Sequence, residues 1–173
     1  MQYNIKLVSQ WAHDRGLTDQ TNDALRSQFI KGVEEGGEIS EPVLNRDKEG
    51  LVDSIGDELV VLTIMCINVG LDPENYIKRV RYDELAKFDS FESAVSSVEA
   101  LEICCQYNMW LGGLARAVAK QEPISQHVTL LVHNLNQLAT LLCVDIGECY
   151  RTAYNEIKNR TGRKIDGVFV KDE

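Results

Sequence analysis

Two clusters of acidic residues lie close together in one short stretch of the chain, and their spacing suits metal chemistry. The first cluster is Glu34, Glu35 and Glu38, and the second is Asp53 and Asp57. Residues three or four positions apart share a face of a helix. Glu35 and Glu38 are therefore expected to point one way from one helix, and Asp53 and Asp57 one way from the next. A short connection makes such helices antiparallel neighbours, so the carboxylates can converge between them.

Carboxylates held that close repel each other unless a cation neutralises them. Hard oxygen ligands of this kind suit Mg²⁺ or Mn²⁺. We therefore predict a metal site formed by Glu35, Glu38, Asp53 and Asp57, with the rest of the chain as its scaffold. The alternative is a salt-bridged surface patch, because acidic residues near the start of a helix also favour the helix dipole.

The pattern of apolar residues predicts a mostly helical protein. The expected helices cover residues 3–15, 24–44, 51–69, 74–87, 93–120, 126–143 and 148–160, with a single strand at 167–171. Gly36 and Gly37 are costly inside a helix, which indicates that something approaches the backbone closely there. Pro42 predicts a kink or an early end of its helix. Trp11 is expected in the core, with stacking on a nucleobase as the alternative.

Composition limits the functions that the chain can have. With 173 residues, 44% of them hydrophobic, it is long enough for a single all-α domain with a core of its own. The net charge of −9 argues against the basic face that broad nucleic-acid binding needs, so we expect no direct nucleic-acid contact. Neither a signal peptide nor a membrane span is predicted.

The five cysteines do not suggest disulfides or a metal site. Their number is odd, they lie in apolar or helical stretches, and none has CxxC spacing. We predict reduced core thiols in a cytoplasmic protein.

The order of the elements suggests an internal repeat. A shift of 73 positions places the acidic residues of both clusters opposite Tyr107, Asn108, Leu111, Gln126 and Leu130. Residues 1–86 would then be the catalytic half with the metal site. Residues 87–173 would be a degenerate second half that has lost its carboxylates, followed by a C-terminal tail.

Several motifs in the same order resemble a known family. They are WAHDRGL at 11–17, Gln28 and Lys31, EExxE at 34–38, DSIGD at 53–57 and the ending at 153–173. Together they are similar to the MazG-like family of all-α nucleoside triphosphate pyrophosphohydrolases, and the ending resembles short MazG-like proteins often encoded by bacteriophages. The resemblance covers residues 1–85 and 145–173. It implies a MazG-like helical bundle, in which the internal repeat suggested by the 73-residue shift would form a pseudo-dimer.

The resemblance implies an activity and a set of roles. The family cleaves nucleoside triphosphates to the monophosphate and pyrophosphate, using Mg²⁺ held by an ExxE and an ExxD pair; Mn²⁺ is the alternative ion. Glu35 and Glu38 would form the first pair, Asp57 would end the second, and Glu34 would orient or ligate, so that the three glutamates are the catalytic residues. Ser54 stands where the family has a glutamate. Asp53 could substitute with a shorter arm, which leaves the number of metals open.

The resemblance also points to residues that contact the nucleotide. They are Trp11, Gln28, Lys31, Asn155, Lys158 and Arg160, with Arg163 and Lys164 as further phosphate contacts or, alternatively, solvated surface residues. Family members usually act as dimers or tetramers, so we expect a homodimer, in the host cytoplasm if a phage encodes it. The preferred base is not indicated.

Two functions of other classes stay open. One is a non-catalytic protein that keeps the fold and binds a nucleotide or a host protein, which the serine at position 54 and the degenerate second half both allow. The other is a helical metal-binding protein of the carboxylate type, although the chain lacks the Glu-x-x-His pairs that di-iron bundles use.

Overall fold

The computed structural model describes residues 1–165 and 168–171, which form nine helices and one β-hairpin. In chain order the elements are α1 (Gln2–Asp14), α2 (Asn22–Glu38), α3 (Ser40–Asn45), α4 (Lys48–Asn68), α5 (Pro73–Tyr76), α6 (Phe91–Ala94), α7 (Val98–Lys120), α8 (Ser125–Leu141), α9 (Ile146–Ile157), β1 (Gly162–Ile165) and β2 (Val168–Lys171). The predicted all-α fold is confirmed. The likeness to MazG-like bundles and the duplication stay predictions.

The central helix of the fold is α4, which packs against α1, α2 and α9. It begins at a side-chain cap, where Asp47 accepts a hydrogen bond from the amide of Gly50 at 3.0 Å. Its apolar residues are buried on almost every side, as its high content of Val, Leu and Ile predicts. Gly56 lets α9 approach closely, because a Cβ there would lie 2.3 Å from the carbonyl oxygen of Cys149.

Helices α7 and α8 pack against each other. This pair contacts the earlier helices through α2, which packs on α7, and α4, which packs on α8. At the contact between α2 and α7, a Cβ on Gly36 would lie 3.0 Å from the ring and the hydroxyl of Tyr107. The close approach expected at the paired glycines is therefore made by α7 at Gly36. Gly37 faces open space among the described residues.

Two predicted helices end earlier than expected. The helix predicted over 24–44 is divided into α2 and α3 at Ile39, three residues before Pro42, which confirms the predicted interruption. The helix predicted over 74–87 is wrong beyond Tyr76. The side chain of Asn136 accepts from the amide of Val80 at 2.8 Å and donates to the carbonyl of Lys78 at 2.9 Å, so tertiary hydrogen bonds replace helical ones.

Two other expectations need correction. The helix predicted over 93–120 is two helices, because Ser90 and Ser97 each cap a separate start. The predicted strand at 167–171 corresponds to β2 in its described residues, 168–171, and its antiparallel partner β1 was missed.

The cysteine prediction holds in part. All five thiols are free; three are buried, whereas Cys105 and Cys143 are exposed and do not belong to the core. Among the described residues, no single helix is both long and apolar enough to cross a membrane; by length and composition alone, the bent pair α8 and α9 passes that test.

Candidate functional site

A cavity of about 320 Å³ is lined by four of the five residues that form the two acidic clusters. Glu34, Glu35 and Glu38 reach it from α2, and Asp57 reaches it from α4. The two helices pack side by side, as the short connection between the acidic clusters predicted. Four carboxylates therefore share one cavity.

Apolar and aromatic side chains also line this cavity: Leu17, Val60, Val61, Ile64, Ile157, Trp11 and Phe169. Trp11 is almost buried, and its indole nitrogen donates to the carbonyl of Ile157 at 2.9 Å. The rings of Trp11 and Phe169 meet edge to face with their centroids 5.8 Å apart. The core position expected for Trp11 is thus confirmed, and its contact with a nucleobase stays a prediction.

Arg15 contacts both aromatic rings and the segment that directly follows α9. Its guanidinium carbon lies 4.7 Å from the centre of the Trp11 ring and 5.9 Å from that of Phe169. The same guanidinium donates to the carbonyl of Arg160 at 2.7 Å. Sequence analysis did not identify Arg15 or Phe169, because their partners are distant in the chain.

Lys31 is the cation closest to the glutamates of α2. Its ammonium lies 2.6 Å from Oε1 of Glu35 and 3.0 Å from Oε2 of Glu34. Burial lowers the pKa of Lys31, but the hydrogen bonds and charges of Glu35 and Glu34 outweigh burial and raise it. Lys31 therefore remains charged and neutralises part of the negative charge that the carboxylates bring to the cavity.

The remaining negative charge is not fully compensated. Burial, and then repulsion by Glu35 and Asp53, raises the pKa of Asp57 to about 7, although Arg160 acts in the opposite direction. Burial and the charge of Glu35 also raise the pKa of Glu38. Both shifts mean that the cavity disfavours further negative charge unless a cation enters it.

Asp53 is absent from the described lining of this cavity. It lines a neighbouring cavity of about 230 Å³ with Glu41 and Asp47, and Glu38 lines both cavities. One oxygen of Asp53, Oδ1, is buried without a hydrogen-bond partner among the described residues. Ser54 donates to the carbonyl oxygens of Gly50 at 2.8 Å and Glu38 at 3.3 Å, so its hydroxyl is already engaged.

The predicted ligands have the chemistry that suits a divalent cation, but the structure does not hold them in an arrangement that would bind one. Hard carboxylate oxygens, uncompensated charge and the unpaired oxygen of Asp53 all favour Mg²⁺ or Mn²⁺. In the part of the chain that the structure describes, however, no three acidic, histidine or cysteine side chains are grouped to hold an ion. Lys31 is bound to Glu35 instead.

A buried carboxyl group lies beside the cavity, and sequence analysis missed it. Glu58 is completely buried, and the hydroxyl of Tyr107 donates to its Oε1 at 2.5 Å. Burial raises the pKa of Glu58 to about 8, with Tyr107 lowering it and the charge of Glu35 raising it further. Oε2 has no hydrogen-bond partner in the described chain. A glutamate within so apolar a helix was the available signal.

The predicted nucleotide contacts divide into two groups. Gln28, Lys31 and Arg160 line the cavity, as Trp11 does. The described lining does not include Asn155 or Lys158, which hydrogen-bond to each other at 2.8 Å on the surface. The side chains of the other two predicted phosphate contacts, Arg163 and Lys164, lie outside what the structure describes.

Comparison with known proteins gives one partial match. No protein-family model matches the chain, and no solved structure matches it. Over 65 residues the chain is 40% identical to a protein of Haemophilus phage HP1 (strain HP1c1), described as an uncharacterized 18.2 kDa protein in the rep-hol intergenic region. This stretch covers 38% of the chain and 39% of the phage protein. The chain is therefore similar to a phage protein over well under half of either length.

Proposed function

We propose that the chain is a Mg²⁺-dependent nucleoside triphosphate pyrophosphohydrolase, which converts ribo- or deoxynucleoside triphosphates to the monophosphate and pyrophosphate. The observation that carries this proposal is a single cavity lined by two chemically different sets of side chains. Four carboxylates and two cations form one set, and apolar side chains that include two aromatic rings form the other. A metal-bound triphosphate suits the first set, and a nucleobase suits the second. The ordered motifs that resemble the MazG-like family point to the same reaction.

The metal would be held by Glu35, Glu38, Asp57 and, from the adjoining cavity, Asp53. When bound, Mg²⁺ neutralises charge on the triphosphate and stabilises the charge that develops as pyrophosphate leaves. The number of metal ions bound per chain stays open, because Ser54 provides no carboxylate.

The side chains of the cavity carry the rest of the reaction. A glutamate of α2 takes a proton from water, whose oxygen attacks phosphorus while the α–β phosphoanhydride bond breaks and pyrophosphate leaves. Glu34, Glu35 and Glu38 all line the cavity, and whichever of them is not bound to the metal suits the role of base. Arg160 and Lys31 line the same cavity and can contact phosphate oxygens. Trp11 and Phe169 form a surface on which a base can pack.

The test of this assignment is a comparison of variants in a pyrophosphate-release assay with Mg²⁺ or Mn²⁺. E38Q and D57N remove one negative charge each from the cavity, and both are expected to lower kcat by about 100-fold or more. E102Q removes the same charge from an exposed position on α7 and is the control. Turnover by E38Q and D57N at the rate of E102Q would contradict the assignment.

We retain a second function, a non-catalytic module that binds a nucleotide or a protein through the same fold. Two observations favour it specifically. Ser54 is engaged with backbone carbonyls rather than facing the cavity, and Lys31 already pairs with Glu35. This function predicts that a nucleotide binds in the presence of metal while no product forms. Equilibrium binding of an α,β-imido deoxynucleoside triphosphate, measured beside turnover of the natural nucleotide, distinguishes the two functions.

A further inference from the structure

We propose that Lys31 is the resident counter-ion of the acidic cavity, that a divalent cation displaces it from Glu35, and that its released ammonium then contacts the phosphates of the nucleotide. The proposal rests on the proposed function, because it concerns the metal and nucleotide of that same site. It assigns Lys31 a role that links the binding of the two.

Among the carboxylates that line the cavity, Glu35 is the buried one. Its side chain is 9% exposed, compared with 59% for the neighbouring Glu34. An unpaired charge at so buried a position is costly. Lys31 supplies the partner from the same helix, at 2.6 Å and four residues away. The buried carboxylate is therefore neutralised before any metal arrives.

A divalent cation and the ammonium of Lys31 compete for Glu35. Two positive charges held a few ångströms apart repel strongly where water is partly excluded. The other acidic side chains that line the cavity, Glu34, Glu38 and Asp57, repel one another and so gain from an added cation. Metal binding is thus favoured by the whole cluster but opposed by the ion pair that it must replace.

Displacement leaves Lys31 in a useful position. Its side chain lines the cavity and is 45% exposed, and a lysine has a flexible stem that can reorient its ammonium. A triphosphate bound to the metal would bring new negative charge to the same wall. The ammonium lost by Glu35 can then pair with a phosphate oxygen, so that metal and nucleotide each increase the affinity for the other.

The first measurement is calorimetric titration of the full chain with Mn²⁺ alone, without nucleotide. K31Q removes the competing charge and is expected to bind Mn²⁺ at least about fivefold more tightly than the wild type. K31M is a second neutral variant that keeps most of the apolar stem. K31R, which keeps the charge, is expected to stay near the wild-type affinity.

The control is K87Q. Lys87 matches Lys31 closely, since its ammonium lies 2.6 Å from Glu99 and its side chain is also 45% exposed. Its substitution changes the net charge by the same amount outside the cavity. The Mn²⁺ affinity of K87Q is expected to remain within about twofold of the wild type.

The second measurement is binding of an α,β-imido deoxynucleoside triphosphate at saturating Mn²⁺. K31Q and K31M are expected to bind it about tenfold more weakly, because the phosphate contact is lost. Opposite changes in the two affinities are the signature of displacement, which a purely structural lysine would not produce. Mn²⁺ binding by K31Q and K31M equal to or weaker than that of the wild type would overturn the proposal and leave the proposed function intact. A wild type that binds no Mn²⁺ would overturn both.

Discussion

At the scale of single residues, the acidic cavity is defined by which carboxylates have partners. Glu35 is paired with Lys31, whereas Asp57 is held near neutral pKa by burial and by its acidic neighbours. Glu58 lies beside them without contact with solvent and depends on a hydroxyl from the second half of the chain. Each of these environments has a measurable consequence.

The buried carboxyl of Glu58 makes stability depend on pH. Its pKa is about 8 in the folded chain, compared with an ordinary value of 4.5, so the folded state binds the proton more tightly than the unfolded state. The stabilisation is complete below pH 4.5 and is lost as the pH rises to about 8, at a rate of at most about 1.4 kcal/mol per pH unit. Asp57 adds a change in the same direction, up to a pH of about 7.

The check is urea unfolding between pH 5 and 9 in a buffer with chelator. E58Q cannot ionise at this position, so the fall in its free energy of unfolding between these pH values is expected to be clearly smaller than in the wild type. Equal pH dependence of E58Q and wild type would show that Glu58 is not held protonated.

The hydroxyl of Tyr107 is expected to stabilise the fold through Glu58. Y107F removes the donor at 2.5 Å and leaves a fully buried carboxyl unsatisfied, at a cost of about 1–3 kcal/mol in the free energy of unfolding. The control is Y76F, at a partly buried tyrosine on α5, with an expected change within about 0.5 kcal/mol. Chemical denaturation measures both, and equal stability of Y107F and Y76F would contradict the role of the contact.

At the scale of elements, the position of α9 against α4 depends on a glycine. G56A places a methyl group 2.3 Å from the carbonyl oxygen of Cys149, which only a shift of the backbone can relieve. We expect a loss of about 3 kcal/mol or more in the free energy of unfolding. G112A is the matched control, because Gly112 is also inside a helix but has nothing within 4 Å among the described residues.

The control variant is expected to gain about 0.5–1 kcal/mol, since alanine favours a helix over glycine. Thermal or urea unfolding of the two variants measures the contrast. G56A as stable as G112A would mean that α9 does not approach α4 as closely as the structure has it.

Local patterns predicted the elements that depend on local contacts, and missed those set by distant ones. The spacing of Glu35 with Glu38 and of Asp53 with Asp57 predicted two adjacent helices with converging carboxylates. The helices are adjacent and three of these residues share one cavity, but Asp53 does not line it. The early end of α5 was missed because the side chain of Asn136, which is distant in the chain, hydrogen-bonds to the backbone that follows α5. The Glu58–Tyr107 contact also joins residues far apart in the chain. No spacing rule relates such partners before the fold is known.

The separation of Asp53 from Asp57 has a different cause. Four positions on a helix correspond to nearly the same direction, and the sequence pattern therefore placed both on one face. Asp53 nevertheless lines the adjoining cavity, at the contact between α4 and α2, and Glu38 lines both cavities. The pattern predicted the face but not the boundary between cavities.

At the scale of the whole molecule, two turns have the same geometry 73 positions apart. Gly70 and Cys143 both have positive φ, at 72° and 57°, directly after the ends of α4 and α8. Two residues later, Asp72 and Asp145 cap the next helices. These turns support the predicted internal repeat at the shift that the sequence suggested. The duplication itself stays a prediction.

The predicted homodimer can be tested through the exposed face of α2 and α7. Ile30 and Val33 on α2 and Leu101 and Met109 on α7 are large apolar side chains that are exposed in the single chain. We expect light scattering to give twice the mass of one chain, and the double variant I30E/M109E to give the mass of one chain. The control is K6E/E102K, two exposed charge changes outside this set. A wild-type monomer at micromolar concentration would contradict the prediction.

The central claim is that the cavity lined by acidic and apolar side chains hydrolyses a nucleoside triphosphate. Its most direct test is product analysis of the wild type incubated with each ribo- and deoxynucleoside triphosphate and Mg²⁺ or Mn²⁺, beside a sample with chelator. We predict that at least one nucleotide gives monophosphate and pyrophosphate in equal amounts, and that the chelator prevents this. Absence of turnover with every nucleotide, or release of orthophosphate instead of pyrophosphate, would contradict the account.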